Sequence, residues 1–237
     1  MTEVILTLLV KGFKQVYGEN GGIIQVTMKT YVFDSQDRSG TVSLSHALRR
    51  GIFHALAGLA CAFAILSLSR FTMLVTLAAV TAAFLSLEVA RLRIPSLKRR
   101  FSVWFACLLR EEEVSKATGS SYFLVSCLIT VLLFPRNIAA LAILFLSLGD
   151  PAATVVGMWK GRTRLWGKSM EGNAACLGIC LFTAILVSIV LQEPPLTVAV
   201  AGAVLATVIQ SLPVRLNDNL TIPIGSAVAM LVASIIT

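Results

Sequence analysis

The chain has 237 residues, 57% of them hydrophobic and 14% charged, with a mean hydropathy of +0.85 and a formal net charge of +8. Soluble domains carry roughly 25% charged residues, so this composition excludes a water-soluble fold and points to an all-α, polytopic membrane helical bundle. A basic excess alone would suit nucleic acid, but its placement along the chain argues for a lipid bilayer as partner and no nucleic acid.

Residues 1–45 stand apart. The run 4-VILTLLV-10 is too short to span a membrane and lacks the basic start and small-residue cleavage site of a signal peptide. A turn at 17-YGENGG-22 precedes 23-IIQVTMKTYVF-33, which alternates in part as a strand does. The expectation is a small cytoplasmic N-terminal extension at 1–45 and one membrane-embedded domain at 46–237. A crossing helix needs about 20 apolar residues. By that measure seven spans are expected, at 52–69, 71–90, 119–134, 137–158, 172–191, 195–212 and 219–236; the third is short and the fourth is interrupted by Gly149-Asp150-Pro151. Between the second and third spans, 91–119 has a basic start, a short apolar run and a charged end. It predicts an interfacial helix with Trp104 at headgroup level, or else a short re-entrant or buried piece.

If residue 52 enters from the cytoplasm, every Lys and Arg except Arg70 and Arg136 falls in the cytoplasmic segments 1–51, 91–118, 159–171 and 213–218. That asymmetry is the positive-inside pattern, with attraction to anionic headgroups as a second role. Cys61, Cys107, Cys127, Cys176 and Cys180 lie in apolar segments without metal-ligand spacing and read as small hydrophobes. His46 and His54 are too few and too close in sequence to define a metal site.

Ionisable groups within membrane segments are costly and mark candidate sites. Four sets stand out: Glu88 with Arg91; Asp150; Lys168, Ser169 and Glu171; and Asn217, Asp218 and Asn219. All four fall in the cytoplasmic half. Asp150 lies eight residues before Met158, about 12 Å below that helix end at 1.5 Å per residue. Pro151 has no N–H, and its ring clashes with the carbonyl of Ser147. The expectation is a helix broken here, with Asp150 as N-cap of a new half-helix lining a polar cavity, or a capped kink and nothing more. An anionic cap at that depth calls for a cation, and Mg²⁺ is the obvious one. The loop 159–171 offers Lys160, Arg162, Arg164 and Lys168 with two glycines, suited to polyphosphate oxygens or to a plain positive-inside loop. Its Gly167-Lys168-Ser169 ends like a P-loop, but Gly161 and Gly167 stand five residues apart instead of four, and no strand-to-helix context surrounds them. The set 217–219 supplies oxygen ligands suited to Mg²⁺, or simply a turn.

The ordered set 149-GDPAATVVG-157, 167-GKSMEG-172 and 217-NDNLTIPIG-225 resembles the CTP-dependent lipid-alcohol kinases, which include dolichol kinase, phytol and farnesol kinases and the yeast CTP-dependent diacylglycerol kinase. Arg49, Arg50 and His54, then 88-EVAR-91 and 111-EEEVSKATGSSYF-123, agree with it, so the likeness covers about residues 44–237. It implies transfer of the CTP γ-phosphoryl to the hydroxyl of an isoprenoid alcohol of polyprenol, dolichol, phytol or farnesol type, or of diacylglycerol. It further implies Asp150, Lys168 and Glu171 as catalytic residues and Asp150 with Asp218 on Mg²⁺. Gly149, Gly167, Lys168, Ser169, Gly172, Asn217 and Asn219 would be at the nucleotide, and Glu88, Arg91 and His54 in support. Glu171 has three open roles: orienting Lys168, ligating a second metal, or taking the alcohol proton. Two positions depart from the pattern. Gln210 stands where a Glu is usual, and Asn217-Asp218 stands where two Asp often precede the Asn. A cytidylyltransferase acting on a lipid phosphate is an alternative. A small ion-coupled transporter using Asp150 is another, although the chain has no two-fold hydropathy repeat.

Overall fold

The computed structural model describes residues 43–105, 108–213 and 216–237. The turn and strand expected within 1–42 lie outside the described residues. From Leu44 onward the chain is built from helices, and each of the expected spans is helical. α1 is Leu44–Ser67, α2 Arg70–Arg93, α3 Pro95–Trp104, α4 Gly119–Leu133 and α5 Arg136–Lys160; a short hairpin of β1 (Arg164–Leu165) and β2 (Lys168–Ser169) follows, then α6 Met170–Leu191, α7 Leu196–Ser211 and α8 Asp218–Ile236. Five of these, α1, α2, α5, α6 and α8, are long and apolar enough to cross a membrane. α4 and α7, of 15 and 16 residues, fall short of the usual length. The chain is an integral membrane protein, and the apolar side chains left exposed on its helices, such as Phe63, Phe71, Phe182 and Ile189, have acyl chains as their solvent.

α5 is the central helix. Within its most apolar window 67% of residues are buried, against 17–33% in the other four long helices. The reason is in its sequence: 138–146 is apolar on every face, and Ala139 to Leu146 are almost wholly enclosed. α1, α6, α7 and α8 pack around it, and α2 reaches the core through α4. Small residues set the closest approach, as they do in membrane bundles. A Cβ added at Gly51 would come within 3.1 Å of Pro151, and one at Gly58 within 1.9 Å of the Ser147 hydroxyl. These two glycines are seven residues apart and share a face of α1. We expect Gly58→Ala to force α1 off α5 and to cost about 1–3 kcal/mol, read as a lower melting temperature in detergent. Combining it with Ser147→Gly should recover most of the loss.

One expectation is corrected here. The helix does not break at Asp150, and Asp150 is not an N-cap. Gly149 and Asp150 both have right-handed helical dihedrals, and residues Phe145–Gly149 form a single π turn that carries α5 through Pro151. The wider turn absorbs a residue that can neither donate to the ladder nor tolerate the preceding carbonyl at normal spacing. α5 continues to Lys160, and its final turn (Met158, Trp159, Lys160) is exposed. Asp150 is level with the last turn of the neighbouring α7, as its bond to Gln210 shows.

The expected interfacial segment is a ten-residue helix, α3, with Pro95 at its first position and Trp104 exposed near its end. Ile94 is extended, as a residue before proline prefers, and this separates α3 from α2. A single 3₁₀ turn, Glu111–Val114, leads to α4. Arg70 and Arg136, the two cations outside the basic segments, have structural tasks. Arg136 donates to the carbonyls of Ile65, Leu66 and Leu68 at the C-terminal end of α1, and Arg70 to that of Leu132 near the end of α4. Cations there satisfy carbonyls that have no partner within the helix.

Candidate functional site

Four segments meet at one end of the bundle. Gln210, one residue before the end of α7, donates from Nε2 to Asp150 Oδ1 at 3.1 Å. Lys168, on β2, donates from Nζ to Asp218 Oδ2 at 3.0 Å and to the main-chain carbonyl of Gln210. Asp150, Gln210, Lys168 and Asp218 thus form one connected polar chain, drawn from positions 42 to 60 residues apart across Gln210. The Lys168–Asp218 pair is partly open, each side chain being 30% exposed. Gln210 Oε1 is buried and, among the described residues, accepts from no donor. Asp218 lies in the first turn of α8, where the unpaired N–H groups and the helix dipole favour anions. Arg50 and His54 on α1 are close enough to Asp150 to interact through charge, and Asp150 and Asp218 are similarly close to each other.

The hairpin that carries Lys168 is explained by its turn. Trp166 and Gly167 have φ of 51° and 88° between the paired residues Leu165 and Lys168. Two successive left-handed residues are the requirement of the tight hairpin turn that matches strand twist. Gly167 is therefore held by backbone geometry, with open space where a side chain would be. Ser169 caps α6, its hydroxyl accepting from Gly172 N–H at 3.0 Å. Gly172 allows α6 to cross α5, since a Cβ there would lie 2.5 Å from the Ala153 carbonyl. Gly149 is held in the same way, facing the thiols of Cys176 and Cys180.

The other sequence candidates have partners of their own. Glu171 Oε1 accepts from the N–H groups of Arg162 and Thr163, both at 3.1 Å, and so fastens the start of the basic loop to α6. In Glu171→Ala the loop 161–169 should open more often. The expected readout is trypsin cleavage at Arg162 and Arg164 several-fold faster than in the wild type, with the melting temperature little changed. Asn217 caps α8 through Asn219 N–H, and Asn219 Nδ2 donates to the Gly119 carbonyl. His54 stands edge-on to Phe123, with 5.1 Å between ring centroids.

Glu88 and Arg91 build a separate buried node. Arg91 is wholly enclosed. Its Nη2 reaches Glu88 Oε1 at 2.6 Å and also donates to the carbonyls of Glu113 and Lys116, while Nη1 reaches that of Val114. Glu88 accepts from the N–H and hydroxyl of Thr118. The pair therefore fixes the segment 113–118 that leads into α4. Gln210 in the cluster and Glu113 in this node are residues to which sequence reasoning assigned no role. The signal for Gln210 was a polar residue near the end of an otherwise apolar helix.

Among the described residues, no group of three or more His, Cys, Asp or Glu gathers to hold a metal ion. A Mg²⁺ ion needs fewer: it is commonly bound by one or two carboxylates together with substrate phosphates. Asp150, Asp218 and the orphaned Gln210 Oε1 are hard oxygen donors in one place, and they fit that arrangement.

The fold and this site define an integral membrane protein with a polar, acid-and-lysine cluster at one end of its helices. No family model matches the chain, and no solved structure matches it. It is similar to a protein of Rickettsia prowazekii (strain Madrid E) described as "Uncharacterized protein RP860", with 28% identity over 183 residues, spanning 75% of this chain and 89% of that protein.

Proposed function

We propose that the protein is a CTP-dependent lipid kinase that moves the γ-phosphoryl group of CTP to the hydroxyl of an isoprenoid alcohol in the bilayer. The observation that carries this reading is the convergence of Asp150, Lys168 and Asp218 from three separate segments on one end of the bundle. Phosphoryl transfer needs alignment and charge neutralisation more than covalent help from the protein. Lys168 is poised to leave Asp218 for the β- and γ-phosphate oxygens. Asp150, Asp218 and Gln210 Oε1 would hold Mg²⁺, which when bound neutralises charge on the phosphates. The N-terminal turn of α8 favours the same anion. The alcohol oxygen bonds to the γ-phosphorus as the bridge to the β-phosphate breaks, giving lipid phosphate, CDP and a proton. Glu171, fastened to the loop backbone, acts by shaping the loop that carries Lys168.

In this reading the protein crosses the membrane seven times. Its N-terminus and the site are cytoplasmic, so that nucleotide arrives from water and the alcohol from the bilayer. The basic loop segments and the helix-capping tasks of Arg70 and Arg136 support that orientation. The test is transfer of label from γ-labelled CTP, by protein purified in detergent, to a panel of prenols and diacylglycerol. Label in prenols is the expected result, and label in diacylglycerol alone would redirect the substrate assignment. Incorporation of α-label in place of γ-label would mean a cytidylyltransferase. Label in no lipid would remove the kinase reading.

A further inference from the structure

A nucleoside triphosphate brings about four negative charges, more than Lys168 and one divalent ion neutralise, so such a ligand calls for a second phosphate contact. Arg50 is in place. It follows Arg49 on the second turn of α1, and its neighbour Gly51 packs directly on Pro151, beside Asp150. Its guanidinium reaches inward. A Cβ placed on Gly119 would lie 3.1 Å from Arg50 Nη2, 3.1 Å from Glu113 Oε1 and 2.8 Å from Asn219 Nδ2. Arg50 and Asn219, the residue that follows Asp218, thus both lie against Gly119, while Lys168 holds Asp218 itself.

The hold on Arg50 is weak. Its ion pair with Glu113 is 3.6 Å long, well beyond the 2.7–2.9 Å of a strong charge-assisted bond. The Glu113 carboxylate is engaged elsewhere, Oε1 by Gly119 N–H at 2.7 Å and Oε2 by Arg110 N–H at 2.8 Å. Glu113 thus ties the chain before α4 to Arg50 without using up the guanidinium, whose five donors form a fork that matches phosphate. The Arg50 side chain is 25% exposed, enough to be reached by a ligand.

We infer that Arg50 is a phosphate-binding residue, positioned by Glu113, that joins Lys168 in gripping the polyphosphate of the nucleotide. This deepens the kinase reading and rests on it for the identity of the nucleotide, but the anion site can be read by itself. The probe is inorganic tripolyphosphate, with binding measured by calorimetry on the full chain in detergent. The wild type should bind it, and Arg50→Met should weaken binding at least tenfold, the scale of a lost charged hydrogen bond. Arg50→Lys keeps the charge and loses the fork, so its affinity should fall several-fold while its melting temperature stays near the wild-type value. That variant guards against a fold defect in Arg50→Met. Unchanged affinity in Arg50→Lys, or no tripolyphosphate binding by the wild type, would overturn the inference. Arg50-dependent tripolyphosphate binding without label transfer from CTP would remove the kinase and leave the anion site standing. Label transfer that is equally fast in Arg50→Met would do the reverse.

Discussion

In the proposed kinase reaction, Asp150→Asn is expected to lower the rate of γ-label transfer by on the order of 10²–10³-fold, with little effect on folding. The two side chains have the same shape, and an asparagine carbonyl still accepts the bond from Gln210 Nε2, which in the wild type is 3.1 Å from Asp150 Oδ1. What is lost is the charge. Asp150 is one of only two carboxylates in the cluster, and its neighbour Gln210 is a neutral amide that cannot stand in for it. Groups that stabilise the charge of a phosphoryl in flight typically contribute on this scale when removed singly. The assay is initial rate against CTP concentration over a series of Mg²⁺ concentrations. A defect in ion binding appears as a raised Mg²⁺ requirement, partly relieved at high Mg²⁺. If Asp150→Asn transfers label at more than a tenth of the wild-type rate at every Mg²⁺ level, Asp150 is not at the reacting phosphate.

The second large effect is on stability. Arg91→Met should destabilise the protein by about 3–5 kcal/mol, because it leaves the Glu88 carboxylate charged, buried and without its cation. Arg91 is fully enclosed and Glu88 nearly so, with 2.6 Å between them. The substitution also frees three carbonyls, those of Glu113, Val114 and Lys116, that depend on the guanidinium. The variant should therefore melt much earlier in detergent and lose the order of the segment 111–118. Pairing it with Glu88→Gln removes the stranded charge and should recover part of the loss. If Arg91→Met alone melts within a few degrees of the wild type, the node is not an anchor.

The elements differ in how far they could be read in advance. The helical segments were legible because the bilayer imposes one rule on each of them separately: enough apolar length, with polar residues at the ends. The charge asymmetry was legible for the same reason, and so was Asp150, since an ionisable group in an apolar run is conspicuous by itself; Lys168 and Asp218 stood out through their polar motifs between spans. The passage of α5 through Asp150-Pro151 was not. A proline in a helix has several solutions, and the choice of a π turn depends on what packs there: Gly58 of α1 against Ser147, and the Cys176 and Cys180 thiols against Gly149.

Pairings were also out of reach of the sequence. The resemblance implied a lysine near two acids, but not that Lys168 would bridge Asp218 and the Gln210 carbonyl, or that Glu171 would turn to the backbone of Arg162 and Thr163. The glycines of the three motifs showed the same limit: Gly167 serves a turn, while Gly149 and Gly172 serve helix contacts. By itself the sequence determined that this is a helical membrane protein whose polar and charged residues collect between its apolar segments, because hydropathy and charge act residue by residue. Only the tertiary structure decided which polar groups meet, because hydrogen bonds and close helix crossings join residues tens of positions apart and depend on where every other helix has packed.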